Sequence, residues 1–153
     1  MATMSRKGAE KVRVFIDADV LFAGAASPRD YSASSLILLL SELTLIEAIT
    51  SEQAVREAER NLQKKVPQAL PVFQFLIART VTVTPQPTRD EMHPFTGLAD
   101  HKDLSILVAA IRAQCDWLVT FNLRHYRPGH PDIHVLRPGD FIRRIREQLA
   151  TMQ

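Results

Sequence analysis

The chain has 153 residues, of which 46% are hydrophobic and 24% charged, with a formal net charge of +2. This length suffices for one domain with a sizeable core, and the near balance of charges excludes a histone-like polycation. The single cysteine, Cys115, excludes a disulfide framework and a cysteine-based zinc site. Polar residues interrupt the most apolar stretch, residues 34–50, so it cannot be a membrane span. We therefore expect one cytoplasmic globular domain over residues 1–153, with residues 1–10 as a flexible leader.

The first predicted element is a strand at residues 11–18, KVRVFIDA. Its apolar residues alternate with others, as in a strand: Val12, Val14 and Ile16. A short helix is expected at about residues 19–24, and SPRDYS is a predicted loop. Ser34 or Ser35 is the expected N-cap of a helix through LILLLSEL, and the second strand is LTLIEAIT, residues 43–50.

The spacing of Thr50 and Gln53 predicts a capping box at the start of the next helix. The apolar face of that helix is formed by Val55, Ala58 and Leu62. A further helix is predicted at residues 68–78 and a third strand at residues 79–84, where valines and threonines alternate. The proline-rich residues 85–98 are predicted to be a loop with its own acids.

The second half of the chain continues the alternation of helices and strands. Residues 99–114 predict a helix that is apolar almost all round, and DWLVTF, residues 116–121, predicts a buried strand. A turn or short helix at residues 122–128 precedes an edge strand at residues 133–138 and a terminal amphipathic helix at residues 139–150. This order predicts an α/β layered domain with a parallel sheet.

Ligands of parallel α/β sheets bind beyond the carboxyl ends of the strands, so the polar residues just after each strand are the candidate site residues. Asp17 ends the first strand, Glu57 lies on the helix after the second, and Thr120 and Asn122 follow the strand DWLVT. We therefore expect these side chains to share one rim of the sheet.

Two more acids, Asp100 and Asp103, open the apolar helix, and their spacing places them on one face. Gathered carboxylates repel one another unless protons or cations neutralise them. Oxygen ligands suit hard divalent cations, and a bound cation can activate water for phosphoryl chemistry.

Each acid also has a purely structural interpretation. Asp100 or Asp103 can interact only with the helix dipole, and Asp19 can cap the helix that follows it. Glu57 can pair with a base such as Arg60. The arginines between Arg124 and Arg146 can be a solvated C-terminal face.

Three blocks of the sequence together resemble a known family, the PIN domain. They are FIDADVLFAG, SEQAVREAERNL and KDLSILVAAIRAQCDWLVTFNLRHY, and they lie in order within residues 15–126. The third block is the most specific, because an Asp opens an apolar helix and LVT is then followed by an Asn. The resemblance implies a three-layer α/β/α, Rossmann-like domain with a central parallel sheet.

The resemblance also implies a metal-dependent ribonuclease. Asp17, Glu57 and Asp103 match the acidic residues that bind Mg²⁺ or Mn²⁺, and Asp100 is an additional candidate ligand. Asn122 stands where a fourth acid is common. Many bacterial PIN proteins are toxins that a small antitoxin protein neutralises, and many are dimers, so an antitoxin and a homodimer are the expected partners.

The remaining expectations concern substrate and variation. Thr120 matches the family's hydroxyl residue, and Arg124 and Arg127 are candidate contacts to RNA phosphates. Asn122 removes a charge that the family often keeps, and His125 stands where one branch has an Asp. The role of Asp19 stays open between an outer acid of the site and a helix cap.

Two alternatives compete with the ribonuclease. A haloacid-dehalogenase-type phosphatase would use Asp17 and Asp19, but the residues after Asp19 are out of register for that motif. A non-catalytic PIN-fold module that only binds RNA or protein is favoured by Asn122. The three retained acids argue against it.

Overall fold

The computed structural model describes residues 11–26 and 32–151. The predicted leader and most of the predicted SPRDYS loop lie outside these residues. Five strands form one parallel sheet: β1 Arg13–Ile16, β2 Glu47–Ser51, β3 Val81–Thr84, β4 Trp117–Val119 and β5 His134–Leu136. Their order in the sheet is β3-β2-β1-β4-β5, which confirms the predicted edge position of the last strand. β1 is therefore the central strand.

In residues 11–26 and 32–151, seven α-helices connect and cover the strands. They are α1 Ala18–Ala26, α2 Ala33–Glu42, α3 Glu52–Lys65, α4 Leu70–Thr80, α5 Arg89–Met92, α6 Leu104–Arg112 and α7 Pro138–Ala150. Short 3₁₀ helices lie at Pro67–Ala69, His93–Phe95, His101–Asp103 and Leu123–Tyr126. The fold is the predicted three-layer α/β/α arrangement around a parallel sheet. In the parts of the chain that are described, no helix combines the length and the apolar character needed to cross a bilayer.

The core explains why these segments form these elements. Val14, Phe15 and Ile16 of β1 are completely buried, because a central strand of a parallel sheet has helices over both faces. Every residue of α6 from Leu104 to Ala110 is buried, as its nearly continuous apolar sequence predicts. Burial on this scale fixes the carboxyl end of β1 and the start of α6.

Two predicted helix caps are wrong. The N-cap of α2 is Ser32, whose hydroxyl accepts a hydrogen bond from the backbone N–H of Ser35. The N-cap of α3 is Ser51, whose hydroxyl accepts from Ala54 N. The Thr50 hydroxyl donates instead to the carbonyl of Ile16, and so ties β2 to β1. Within the predicted loop at residues 85–98, a capping box on Thr88 starts the short helix α5.

Candidate metal and nucleic-acid site

Asp17 lies at the carboxyl end of the central strand and is almost completely buried. One carboxylate oxygen accepts a hydrogen bond from the backbone N–H of Ala18 at 2.7 Å. The other accepts from the hydroxyls of Thr120, at 2.9 Å, and Tyr126, at 2.7 Å. Both hydroxyls come from the segment that follows β4, the strand beside β1. The carboxylate therefore has one fixed orientation.

Asp19 connects the first turn of α1 to the same segment after β4. Its Oδ2 accepts hydrogen bonds from the backbone N–H of Phe121 and from the side-chain amide of Asn122, each at 3.0 Å. The Thr120 hydroxyl lies 3.4 Å from the same oxygen. Asp19 thus connects α1 to the loop after β4 through hydrogen bonds, and it is also an acid close in sequence to Asp17.

A second group of acids lies at the entrance to α6. Among the described residues, the one set of carboxylate and imidazole ligand atoms within 4.8 Å of one another comes from Asp100, Asp103 and His125. The Nδ1 of His125 is 3.0 Å from Oδ2 of Asp103. The backbone N–H of Asp100 donates to the carbonyl of His125 at 2.7 Å, which joins the α6 entrance to the 3₁₀ helix after β4.

Glu57 projects from the middle of α3 and lies outside that compact set, as does Asp17. Its Oε1 accepts a hydrogen bond from Gln53 at 3.1 Å. The Gln53 side chain accepts in turn from the hydroxyl of Ser105 on α6. This chain of contacts connects the α3 acid to the α6 entrance. The charges of Asp17, Glu57 and Asp103 act on one another, which brings these acids to one rim, and Asp100 and Asp103 are the two predicted acids that belong to the compact set with His125.

The acids act on one another electrostatically. Burial raises the pKa of Asp17, and the charge of Glu57 adds to the effect against three hydrogen bonds that lower it. Burial and the charge of Asp17 raise the pKa of Asp19 to about 6. Burial is the largest cause that raises the pKa of Asp103, and the charge of Asp17 is the next. The charge of His125 partly offsets this rise. Burial and the charge of Asp17 also raise the pKa of Tyr126, so its hydroxyl remains a donor.

Unmet oxygen atoms show that the site fits a cation. Among the described residues of the site, Oδ1 of Asp19 is buried and accepts no hydrogen bond, and the buried Oδ2 of Asp103 has the imidazole of His125 as its only polar neighbour, at 3.0 Å. A buried oxygen without a donor is costly, and a divalent cation removes that cost. The donor set is almost entirely carboxylate oxygen, which suits Mg²⁺ or Mn²⁺ better than soft metals.

Two basic pockets flank the acids. The first, here called the β4 pocket, has a volume of about 600 Å³ and is lined by Asp100, Phe121, Asn122, Leu123, Arg124, His125, Arg127 and Arg137. The second, the α3 pocket, has a volume of about 380 Å³ and is lined by Gln53, Arg56, Glu57, Arg60, Gln86, Met92, His101, Lys102, Leu104 and Ser105. Both predicted phosphate contacts, Arg124 and Arg127, therefore lie in the β4 pocket.

Sequence reasoning missed several members of this site. The hydroxyl of Tyr126 holds Asp17, and its position in a polar turn gave no sign of burial. Arg137 follows β5 directly, so it lies at the carboxyl edge of the sheet and lines the β4 pocket. Its position is well beyond the last of the three matching sequence blocks, which is why it was not predicted. Thr120, predicted from the motif, is completely buried and contacts Asp17.

The fold and the rim of acids define a parallel α/β protein with a candidate cation site at the carboxyl edge of its sheet. A family model described as PIN domain matches residues 13–124. The chain belongs to the PIN domain family, and the resemblance seen in its motifs is confirmed.

Solved structures also resemble the chain in fold. VapBC2 from Rickettsia felis, bound to a DNA fragment from its promoter, matches with a TM-score of 0.57 and 17% identity over 81% of this chain and 97% of that chain. The reductase domain of a non-ribosomal peptide synthetase from Mycobacterium tuberculosis matches with a TM-score of only 0.33 and 20% identity, over 72% of this chain and 24% of that chain. The second match carries no argument. No curated protein sequence matches the chain.

Proposed function

We propose that the protein is a metal-dependent endoribonuclease. The observation that supports this most is the rim of acids, of which Asp19 and Asp103 have raised pKa values and Asp19 has a buried oxygen without a donor, beside two basic pockets. Membership of the PIN domain family supports the same chemistry. Acids that hold a cation, with cationic side chains on either side, can bind a phosphodiester and stabilise its negative charge while its bond is cut.

The proposed ligands of Mg²⁺ or Mn²⁺ are Asp17, Glu57 and Asp103, with Asp100 as an additional one. When bound, the cation would lower the pKa of a coordinated water and stabilise charge on the phosphate. The hydroxyls of Thr120 and Tyr126 donate to one oxygen of the Asp17 carboxylate. These two hydrogen bonds fix the orientation of the carboxylate group. Asn122 donates to Asp19 and so holds the loop that carries Thr120.

The proposed reaction is hydrolysis of an RNA phosphodiester. Water oxygen bonds to phosphorus, the bond from phosphorus to the 3′ oxygen breaks, and that oxygen takes up a proton. The products are a 5′-phosphate and a 3′-hydroxyl. Arg124 and Arg127 are proposed to contact flanking phosphates from the β4 pocket.

We also propose that this cytoplasmic ribonuclease is the toxin of a type II toxin–antitoxin pair, with a small antitoxin and a homodimer as its partners. The resemblance to bacterial PIN toxins and the fold likeness to VapBC2 support this part of the proposal. Co-expression with the product of a neighbouring small gene tests it, because an antitoxin should abolish growth arrest and co-purify with the chain.

The direct test of the nuclease replaces single acids. Asp17→Asn and Asp103→Asn should each lower Mg²⁺-dependent cleavage of a labelled single-stranded RNA by more than about 100-fold, since loss of merely supporting residues already costs about 10- to 100-fold. Asp132→Asn is the control, because Asp132 is a largely exposed acid just before β5 that lines neither basic pocket. Cleavage measured on gels and folding measured by circular dichroism give the result.

Unchanged cleavage by well-folded Asp17 and Asp103 variants would contradict the assignment of these residues as ligands. Full RNA binding by the native protein without any cleavage would favour the non-catalytic alternative.

A further inference from the structure

Phe121 is an exposed aromatic side chain at the most constrained point of the site. It follows β4 directly, and its side chain is 44% exposed although it is large and apolar. Its backbone N–H donates to the Asp19 carboxylate at 3.0 Å. An exposed phenyl ring is costly in water, and this one is attached to a segment that four hydrogen bonds to Asp17 and Asp19 hold in place.

The ring lies between two depressions. On one side it lines the β4 pocket with three arginines, Arg124, Arg127 and Arg137. On the other side it lines a pocket of about 420 Å³, most of whose lining area is apolar, formed with Phe22, Pro138 and residues of α1 and α2. Phe121 thus lines a basic pocket and an apolar pocket at once, and its exposure makes it accessible to a flat ligand. Among the described residues, none of the three arginines forms an ion pair with a carboxylate.

The two basic pockets share one wall. Asp100 lines the β4 pocket, whereas His101 and Lys102 line the α3 pocket, so the segment that carries Asp103 runs between them. Positive side chains therefore lie on both sides of the acids, and the aromatic ring lies on one side only. Phosphates on either side of a scissile bond would each meet cations, and one base next to the acids would meet the ring.

We propose that Phe121 is a base-stacking residue, and that a single RNA strand crosses the acidic site from the β4 pocket to the α3 pocket. Stacking on an exposed aromatic ring needs an unpaired, unstacked base, so Phe121 would contact an unpaired base next to the bond that is cut. This inference rests on the proposed function, because it places the strand relative to the acids that cut it.

Direct binding tests the stacking without cleavage. A labelled single-stranded RNA is titrated in EDTA against the native protein, Phe121→Ala, Phe121→Leu and Phe121→Trp. The alanine and leucine variants should bind at least about fivefold more weakly, and the tryptophan variant should retain binding, because base–aromatic stacking is worth about 1–3 kcal/mol per base. Phe75→Ala is the matched control, since Phe75 is a 61% exposed phenylalanine on α4 that lines neither basic pocket.

A strand with abasic sites separates stacking from charge. Native protein and Phe121→Ala should bind the abasic strand equally, because the ring then has no base to contact. Three results would overturn the proposal: Phe121→Ala binds RNA as the native protein does, Phe121→Leu retains full binding, or the abasic strand distinguishes the two proteins as strongly as the normal strand. Loss of a protein complex with unchanged RNA binding would instead make Phe121 a protein-docking residue.

The path between the pockets has its own readout. Arg137→Ala in the β4 pocket and Arg60→Ala in the α3 pocket should each reduce the slope of log affinity against log salt by about 0.7, the value for one phosphate of a single strand. Arg146→Ala on the exposed part of α7 should leave the slope unchanged. A change in one pocket only would overturn the crossing path. If these binding results hold but the native protein cuts no RNA in Mg²⁺, the proposed function fails while the binding inference stands.

Discussion

Tyr126 shows how a single hydroxyl governs the charge of the central acid. The hydroxyl donates to Asp17 from a distance of 109 residues along the chain and is completely enclosed. Its hydrogen bond is the largest effect that lowers the pKa of Asp17 against burial. Metal ligation by a carboxylate requires the deprotonated form, so a donor that favours the charged form also favours metal binding.

Tyr126→Phe should therefore move metal binding to higher pH. Without the hydroxyl the pKa of Asp17 rises further, so a higher pH is needed to ionise the group and to bind Mg²⁺ or Mn²⁺. Calorimetric titration with Mn²⁺ across a pH series measures the shift. Thr120→Val, which removes the second hydroxyl donor, should shift binding in the same direction. Identical pH profiles for the native and both variant proteins would show that the two hydroxyls do not tune Asp17.

At the scale of the element, α3 and its cap position Glu57. The Ser51 hydroxyl accepts from Ala54 N in the first turn, and Glu57 lies further along the same helix. Ser32 makes the equivalent contact at the start of α2, a helix that carries none of the predicted site residues. The chain thus has two equivalent serine N-caps, and only the one on α3 starts a helix that carries a proposed metal ligand.

Ser51→Ala and Ser32→Ala should each lower the free energy of unfolding by about 1 kcal/mol, the usual cost of losing a serine N-cap. Only Ser51→Ala should also weaken Mn²⁺ binding, because fraying of α3 displaces Glu57. Urea denaturation gives the stability and calorimetry gives the affinity. Equal affinities in the two variants would mean that the α3 start does not position the Glu57 carboxylate.

Elements were easier to predict from sequence than the contacts between them. Alternation in Val12, Val14 and Ile16 located β1, and the apolar run after Asp103 located α6, because burial pattern is a local property of the chain. The caps failed because neighbouring hydroxyl residues compete for one role, and backbone geometry chooses between Thr50 and Ser51. The hydrogen bonds from Tyr126 and the approach of His125 to Asp103 depend on the packing of distant strands, which no local pattern encodes.

For the whole molecule, gathered acids couple stability to pH and to metal. Folding raises the pKa values of three acids: Asp17, Asp19 and Asp103. At a pH between the unfolded-state pKa and the folded-state pKa of such an acid, the folded protein therefore binds more protons than the unfolded chain. Stability then falls as pH rises through that interval. For Asp19 the interval runs from 3.8 to about 6, and such a shift corresponds to about 3 kcal/mol.

Metal-free protein should consequently lose thermal stability as the pH rises from about 4 to about 7. Addition of Mg²⁺ should restore it, and the gain should be larger at pH 8 than at pH 5, because the ionised carboxylates bind the cation. Differential scanning fluorimetry with EDTA or Mg²⁺ across the pH series checks both effects. Asp19→Asn keeps the acceptor for Phe121 N and should flatten the metal-free profile. Stability that rises with pH in EDTA would contradict the linkage.

The pairing of β1 with β4 has a consequence for the synthesis of the chain. Asp17 is made before residues 117–126, which contain β4, one of the two strands beside β1, and both hydroxyls that orient the Asp17 carboxylate. Contacts between residues so far apart form only after the intervening chain exists and its loops have closed. A nascent or truncated chain that stops before β4 therefore carries the first acid without its neighbouring strand. The acidic centre is assembled only after residues 117–126 have left the ribosome.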